Sequence, residues 1–190
     1  SNSLDEYTIS SILKEGGCVD IFGVGERLIT AKSDPVFGAV YKIAAVEENG
    51  EFIPRIKVSE NVEKITNPGL KKVYRIYDKN GKAVADLLAK ADEKVDLSKP
   101  YRYVDEKKHW KVRYFENCTA KELQLPVFKN GKCVYPNVSM KEIKEYVERQ
   151  LANEIWKEEQ RFENPHTHYV SMSPALYEMK MSLLDESKVD

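Results

Sequence analysis

Apolar residues follow two rhythms along this chain, and the change between them falls near residue 38. In residues 4–15, Leu4, Ile9, Ile12 and Leu13 recur at helical spacing and stop at Gly16-Gly17, which predicts a short helix with a glycine end. The mostly apolar run Cys18–Phe22 predicts a short buried strand. Gly23-Val24-Gly25 follows it, then Glu26-Arg27-Leu28-Ile29-Thr30, which can turn into a helix. Helix, strand and glycine loop together read as one αβ step of a barrel or doubly wound sheet. One step cannot bury both faces of its strand.

From Gly38 the period moves toward two. Val40–Val46 and Phe52–Val58 predict a hairpin turning at Asn49-Gly50, with Pro54 at an edge or irregular position. Val73–Tyr77 and Ala83–Leu88 predict a second hairpin around Asp78-Lys79-Asn80-Gly81. Pro100–Val104 and Trp110–Phe115 read as strands. Leu123–Phe128 and Cys133–Tyr135 read as a third hairpin around Asn130-Gly131. Ser139-x-x-Glu142 is a capping box. It opens a long helix with an apolar stripe of Ile143, Tyr146, Val147, Leu151, Ile155 and Phe162, ended by Asn164-Pro165. Ser173-Pro174 opens a last helix with Leu176, Met179 and Leu183 on one face. Asp185–Asp190 read as a solvated tail.

Composition narrows the class. With 42% hydrophobic and 32% charged residues, the chain has a soluble globular profile. A net charge of −1 gives no global field favouring nucleic acid or an acidic membrane. No apolar run approaches the roughly 20 residues needed to span a bilayer, and residues 1–17 lack the apolar stretch of a signal peptide. Cys18, Cys118 and Cys133 are odd in number and scattered. They fit a reducing cytoplasm and read as packing residues.

The candidate chemistry lies in the glycine loop. A strand ending in glycines and opening into a helix presents bare backbone N–H groups toward an anion, and the helix dipole adds a favourable field. Gly-x-Gly alone is more often a tight turn. It lacks the third glycine of a dinucleotide fingerprint and the Gly-Lys-Ser/Thr of a P-loop.

The surrounding residues add weight. Leu4-Asp5-Glu6-Tyr7, Phe22-Gly23-Val24-Gly25, Pro35-x-x-Gly38-x-Val40-Tyr41-Lys42 and Lys57-x-Ser59-Glu60-x-Val62-Glu63-Lys64 occur in that order. Pro68-Gly69-x-Lys71-Lys72-Val73-Tyr74-Arg75, Asn164-Pro165 and Val170-Ser171-Met172-Ser173-Pro174-x-Leu176-Tyr177 follow. The series resembles the C-terminal part of nicotinate phosphoribosyltransferase over nearly the whole chain.

The resemblance implies an α+β chain. Residues 1–37 would be the last αβ step of a TIM-like α/β barrel, 38–69 a connecting hairpin, and 70–190 a β-rich α+β domain with two closing helices. It implies a parent enzyme that joins nicotinate to phosphoribosyl pyrophosphate, forming nicotinate mononucleotide and pyrophosphate in NAD biosynthesis. The family couples this to ATP hydrolysis through a phosphorylated histidine, uses magnesium, and works as a homodimer. None of His109, His166 or His168 matches that histidine. With no initiator methionine either, the chain is expected to be a fragment, inactive alone, with neither catalytic residue nor metal ligand. Ser1-Asn2 reads either as a vector remnant or as the family's own Ser-Asn.

Gly23, Val24 and Gly25 would receive the 5-phosphate of the phosphoribosyl group, and Asn2 and Ser3 would lie near its ribose. The family often has Asp where Ser3 stands. It usually has a small hydroxyl residue where Glu26 stands, so Glu26 must point away or be paired, with Arg27 the candidate. Lys42 and Arg55 read as solvated strand charges. His166-Thr167-His168 lacks a third ligand and reads as exposed loop, and His109 has no nucleophile partner. Lys107-Lys108-His109-Trp110-Lys111 reads as an exposed strand rather than an RNA surface. The alternative class is a non-catalytic C-terminal module for assembly or interaction.

Overall fold

The computed structural model describes residues 2–36, 38–105 and 108–187. The expectations for Ser1, Phe37, Lys107 and the end of the tail, 188–190, lie outside the described residues. The chain divides into two compact units, residues 1–41 and 42–190.

In the first unit, α1 (Glu6–Lys14) begins where the Asp5 side chain accepts from the Thr8 N–H at 2.8 Å, satisfying one of the orphan donors of the first turn. It ends at Gly16, whose φ of +86° is left-handed. Gly17 packs close behind it: a Cβ there would lie 2.6 Å from Ile12 Cγ2. The second helix, α2 (Glu26–Ile29), is a single turn. The expected strand Cys18–Phe22 does not form. These residues join no ladder, and Ile21 is 87% exposed. A strand is stable only when its N–H and C=O groups are paired, and among the described residues no second strand lies within this unit.

The second unit is built from sheet. β1 (Ala45–Glu48) and β2 (Glu51–Pro54) pair antiparallel. Their turn is Asn49-Gly50, with φ of +55° and +86°, the left-handed pair of a tight hairpin. The strands are shorter than expected. β3 (Lys71–Tyr77) and β4 (Ala83–Lys90) form the second hairpin as expected. β5 (Tyr101–Asp105), β6 (Val112–Phe115) and β7 (Thr119–Glu122) follow. β8 (Phe128–Lys129) and β9 (Lys132–Cys133) make a separate ladder around Asn130-Gly131. After α3 (Met140–Arg149) come β10 (Val170–Met172) and α4 (Pro174–Glu186).

The main sheet runs β6-β5-β10-β4-β3-β7. Only the β10–β4 pair is parallel. The core follows the strand period. On β4, Ala83, Ala85, Leu87 and Ala89 are buried and their neighbours half-buried. Leu87 and Ala85 cluster with Ile76 and Phe115, and Val95 and Leu97 pack against them. Val104 and Met172, opposite each other across β5 and β10, and Leu176 on α4 are buried as well. The architecture is α+β.

Three elements differ from expectation. β7 and β10 were not foreseen, although β10 lies in the middle of the sheet. The long helix ends early: α3 gives way to a wider π turn at Gln150–Glu154, so Ile155 and Phe162 extend no helical stripe, and Asn164-Pro165 does not end the helix. The reason is tertiary. Gln150 is buried, and Trp156 Nε1 donates to Ala83 O at 2.8 Å, drawing the chain onto β4. The thiols differ too. Cys118 packs against the Ile76 cluster, but Cys18 and Cys133 are exposed rather than packed. Asp185 and Glu186 belong to α4, not to a tail.

Candidate functional site

The first unit folds back on itself through two side-chain ties. Arg27 on α2 pairs with Asp5, the cap of α1, and the Ser33 hydroxyl donates to Glu6. Hydrogen bonds from Thr8 and then from Arg27 hold the Asp5 carboxyl below the usual carboxylate range. These ties place the start of α1 beside the glycine loop.

Asn2, Ser3 and Leu4 therefore line one open concavity of about 560 Å³ with Gly23, Val24, Gly25, Glu26, Arg27 and Lys32. Residues some twenty positions apart are brought together. Asn2 and Ser3 have φ of +111° and +48°. Asn tolerates the left-handed region; for Ser it costs roughly 1 kcal/mol.

Two details of the loop differ from expectation. Arg27 is engaged with Asp5 and does not pair Glu26. The cation nearest Glu26 is Lys32, at 3.9 Å with both side chains more than half exposed, a contact worth about 0–1 kcal/mol. The dipole argument also weakens, because α2 has only four residues and the macrodipole is a sum over aligned peptides. Any anion recognition would rest on local N–H groups and nearby cations. In front of Gly25 the space is open: a Cβ there meets no atom within 4 Å.

The other candidates separate. Arg55 pairs across the hairpin with Glu48 at 2.7 Å, and Lys42 is exposed. His109 stands edge-on to Tyr177 with centroids 5.1 Å apart, while its neighbour Trp110 is exposed. His166 stands edge-on to Tyr169 at 5.4 Å.

His168 is a correction: it is not an exposed loop residue. Its Nδ1 lies 3.1 Å from Glu159 Oε1, and its Nε2 lies 3.3 Å from Asp86 Oδ1. Asp86 in turn holds Arg75 through two bonds, at 2.9 and 3.0 Å. The Asp86 contact raises the His168 pKa, burial opposes it, and Glu159 reinforces it. Burial works against the charged form of Asp86, but the neighbouring His168 ring and the bonds from Arg75 outweigh it and bring that carboxyl down to about 2. Arg75 and Asp86 stand opposite each other across a readable hairpin, which was the one available signal. Nothing in the sequence marks His168 as their neighbour, because the position of β10 is not readable locally. The two carboxylates flank opposite sides of the ring, so they cannot share one ion with it. Among the described residues no group of three or more His, Cys, Asp or Glu side chains is arranged to hold a metal.

The glycine loop and its concavity are followed along the chain by an α+β unit on a mixed sheet closed by a helix. The nicotinate phosphoribosyltransferase C-terminal domain profile matches residues 70–180, and the chain belongs to that family. Nicotinate phosphoribosyltransferase of Bacillus subtilis (strain 168) is 37% identical over 99% of this chain and 38% of its own length. The Caenorhabditis elegans enzyme is 33% identical over 96% of this chain and 32% of its own length. A crystal structure of human nicotinic acid phosphoribosyltransferase shares the fold with a TM-score of 0.74 at 23% identity, over 97% of this chain and 32% of that one. The chain thus spans about a third of the length of these relatives. Among the described residues no helix is long and apolar enough to cross a membrane.

Proposed function

We propose that this chain is the C-terminal part of an enzyme joining nicotinate to phosphoribosyl pyrophosphate, and that Gly23-Val24-Gly25 receives the 5-phosphate end of the phosphoribosyl group. The observation that carries the reading is the convergence of Asn2, Ser3 and the glycine loop on one concavity in a chain of this family.

The residues divide the work by chemistry. Backbone N–H groups of the loop approach the phosphate where no Cβ intervenes. Lys32 supplies positive charge to the lining, where Arg27 is already paired with Asp5. Asn2 and Ser3 offer hydrogen bonds to ribose hydroxyls. Glu26, half-neutralised at best by Lys32, turns its carboxylate to solvent. The reaction itself, formation of nicotinate mononucleotide and pyrophosphate, depends on positioning and charge stabilisation around a cationic ribosyl centre. This chain contributes the phosphate cradle to it.

ATP, the phosphorylated histidine and magnesium belong to the proposed enzyme but to residues other than these. The concavity has one lining carboxylate, Glu26, which does not make a magnesium site. Residues 1–37 act as the last αβ step of a TIM-like barrel, with Cys18–Phe22 pairing as a strand once neighbouring strands are present. The enzyme works as a cytoplasmic homodimer. The second reading, an assembly module, is favoured by one observation: Ile143, Tyr146 and Val147 on α3, with Leu151 in the turn after it, are exposed.

Kinetics of the full-length enzyme test the cradle. Gly25→Val should raise KM for phosphoribosyl pyrophosphate about ten- to a hundredfold, the equivalent of losing one charge-assisted hydrogen bond. Unchanged kinetics in a folded variant would remove Gly25 from the site. The purified 190-residue chain should form no nicotinate mononucleotide from nicotinate, phosphoribosyl pyrophosphate and ATP.

A further inference from the structure

Residues 155–169, between the π turn and β10, have no regular secondary structure. The segment is nevertheless drawn onto β4. Trp156 Nε1 bonds Ala83 O at 2.8 Å, and the Tyr169 carbonyl accepts from the Asp86 N–H at 2.8 Å. Between these anchors stands the imidazole of His168, with a carboxylate at each ring nitrogen: Glu159 at 3.1 Å and Asp86 at 3.3 Å. All three side chains are largely removed from solvent, with 13–25% of their surface exposed.

A neutral imidazole carries one N–H and one lone pair. With Nδ1 donating to Glu159, a neutral ring presents the Nε2 lone pair to the Asp86 carboxylate, and only the imidazolium is attracted to both. We infer that His168 is a protonation-dependent clasp: charged, it pins the segment 155–169 to β4, and on losing its proton it keeps Glu159, its neighbour within the segment, and releases Asp86 on β4.

The Asp86 contact is not aligned as a hydrogen bond, so it acts through charge and is lost with the proton. Asp86 itself stays in place: it lies on a strand paired on both sides and is gripped by two bonds from Arg75. His168 and Glu159 both lie on irregular chain and move together.

Other charges around the ring act in both directions. Asp105, Lys108 and Arg113 line a concavity of about 370 Å³ together with His168. Arg113 stands 3.9 Å from Asp105, which offsets its effect on the ring. Beyond Glu159, Arg161 stands 3.9 Å from Glu158. The balance at His168 is a pKa raised above its ordinary value. The clasp therefore contributes fully below about pH 6.5 and is lost as the pH rises through the raised value.

The test uses the 190-residue chain with Trp110→Phe, so that Trp156 is the sole indole reporter. Trp156 emission and the His168 ring signals in NMR are followed from about pH 5.5 to 9. The expected result is one emission transition with a midpoint above about 6.5, coincident with the ring titration. His168→Gln should abolish the transition, and Glu159→Gln should move the ring midpoint down. Emission that stays flat while the ring titrates would overturn the clasp. So would the same transition in His168→Gln. If His168→Gln does not fold, the decision falls to Glu159→Gln, where an unmoved midpoint overturns the inference.

Discussion

β4 and the segment Cys18–Phe22 are both apolar runs next to a glycine-containing turn, and they end in opposite states. Along β4 every second residue from Ala83 to Ala89 is buried, with β3 on one side and β10 on the other. Along Cys18–Phe22 nothing is buried, and no residue joins a ladder. Among the described residues, the whole first unit has no buried side chain, whereas the second has a core that includes Ile76, Leu87, Met172 and Leu176 at 0% exposure. The apolar pattern measures what a segment would gain from neighbours. It does not supply them.

The largest expected contrast is in hydrogen exchange. Amides of β3, β4 and β10 should exchange only through global opening, with protection factors of roughly 10³–10⁸ as in a stable domain. Amides of 18–22 should show almost no protection at low concentration, and should gain it only as the chain self-associates through its uncovered apolar residues. Strong protection of Cys18–Phe22 in a monomer, independent of concentration, would break the comparison.

Core truncation should show a smaller difference of the same kind. Leu176→Ala should cost about 2–5 kcal/mol in denaturant unfolding, because it opens a cavity beside β4 and β5. Ile21→Ala should stay within about 0.5 kcal/mol. Equal costs would show that the first unit already shares the core's cooperativity.

Helix caps sharpen the comparison within the second unit. Ser173 is buried. It caps α4 through Leu176 N at 3.1 Å and also donates its hydroxyl to Glu93, which accepts from Tyr101 as well. Ser139 caps the exposed α3 with Glu142 as its capping-box partner. Ser173→Ala should cost about 1–2 kcal/mol and Ser139→Ala about 0.5–1 kcal/mol, read from unfolding midpoints. The reverse order would mean that the Glu93 link contributes nothing.

The same division separates what was readable from what was not. Hairpins with Asn49-Gly50, Asp78–Gly81 and Asn130-Gly131 turns were legible, because left-handed φ values restrict those turns to a few residue types. The caps at Ser139 and Ser173 were legible for a similar local reason. The glycine loop, Asn2 and Ser3 were singled out through family resemblance. Their meeting at one concavity depended on Arg27 reaching Asp5 across 22 positions, which no local pattern announces.

Local sequence, then, determined turns, helix starts and the alternation of β3 and β4, since each follows from steric and hydrogen-bonding preferences within a few residues. Tertiary structure decided the rest. Three residues, Val170–Met172, became a central strand because β4 and β5 offered backbone on both sides. A helical pattern stopped at Arg149 because the Trp156–Ala83 bond and the burial of Gln150 outweighed further turns. His168 left the surface because two carboxylates distant in sequence, Asp86 and Glu159, met around its ring. In each case the deciding free energy came from a partner far along the chain, and such pairing energies are written only in the folded arrangement.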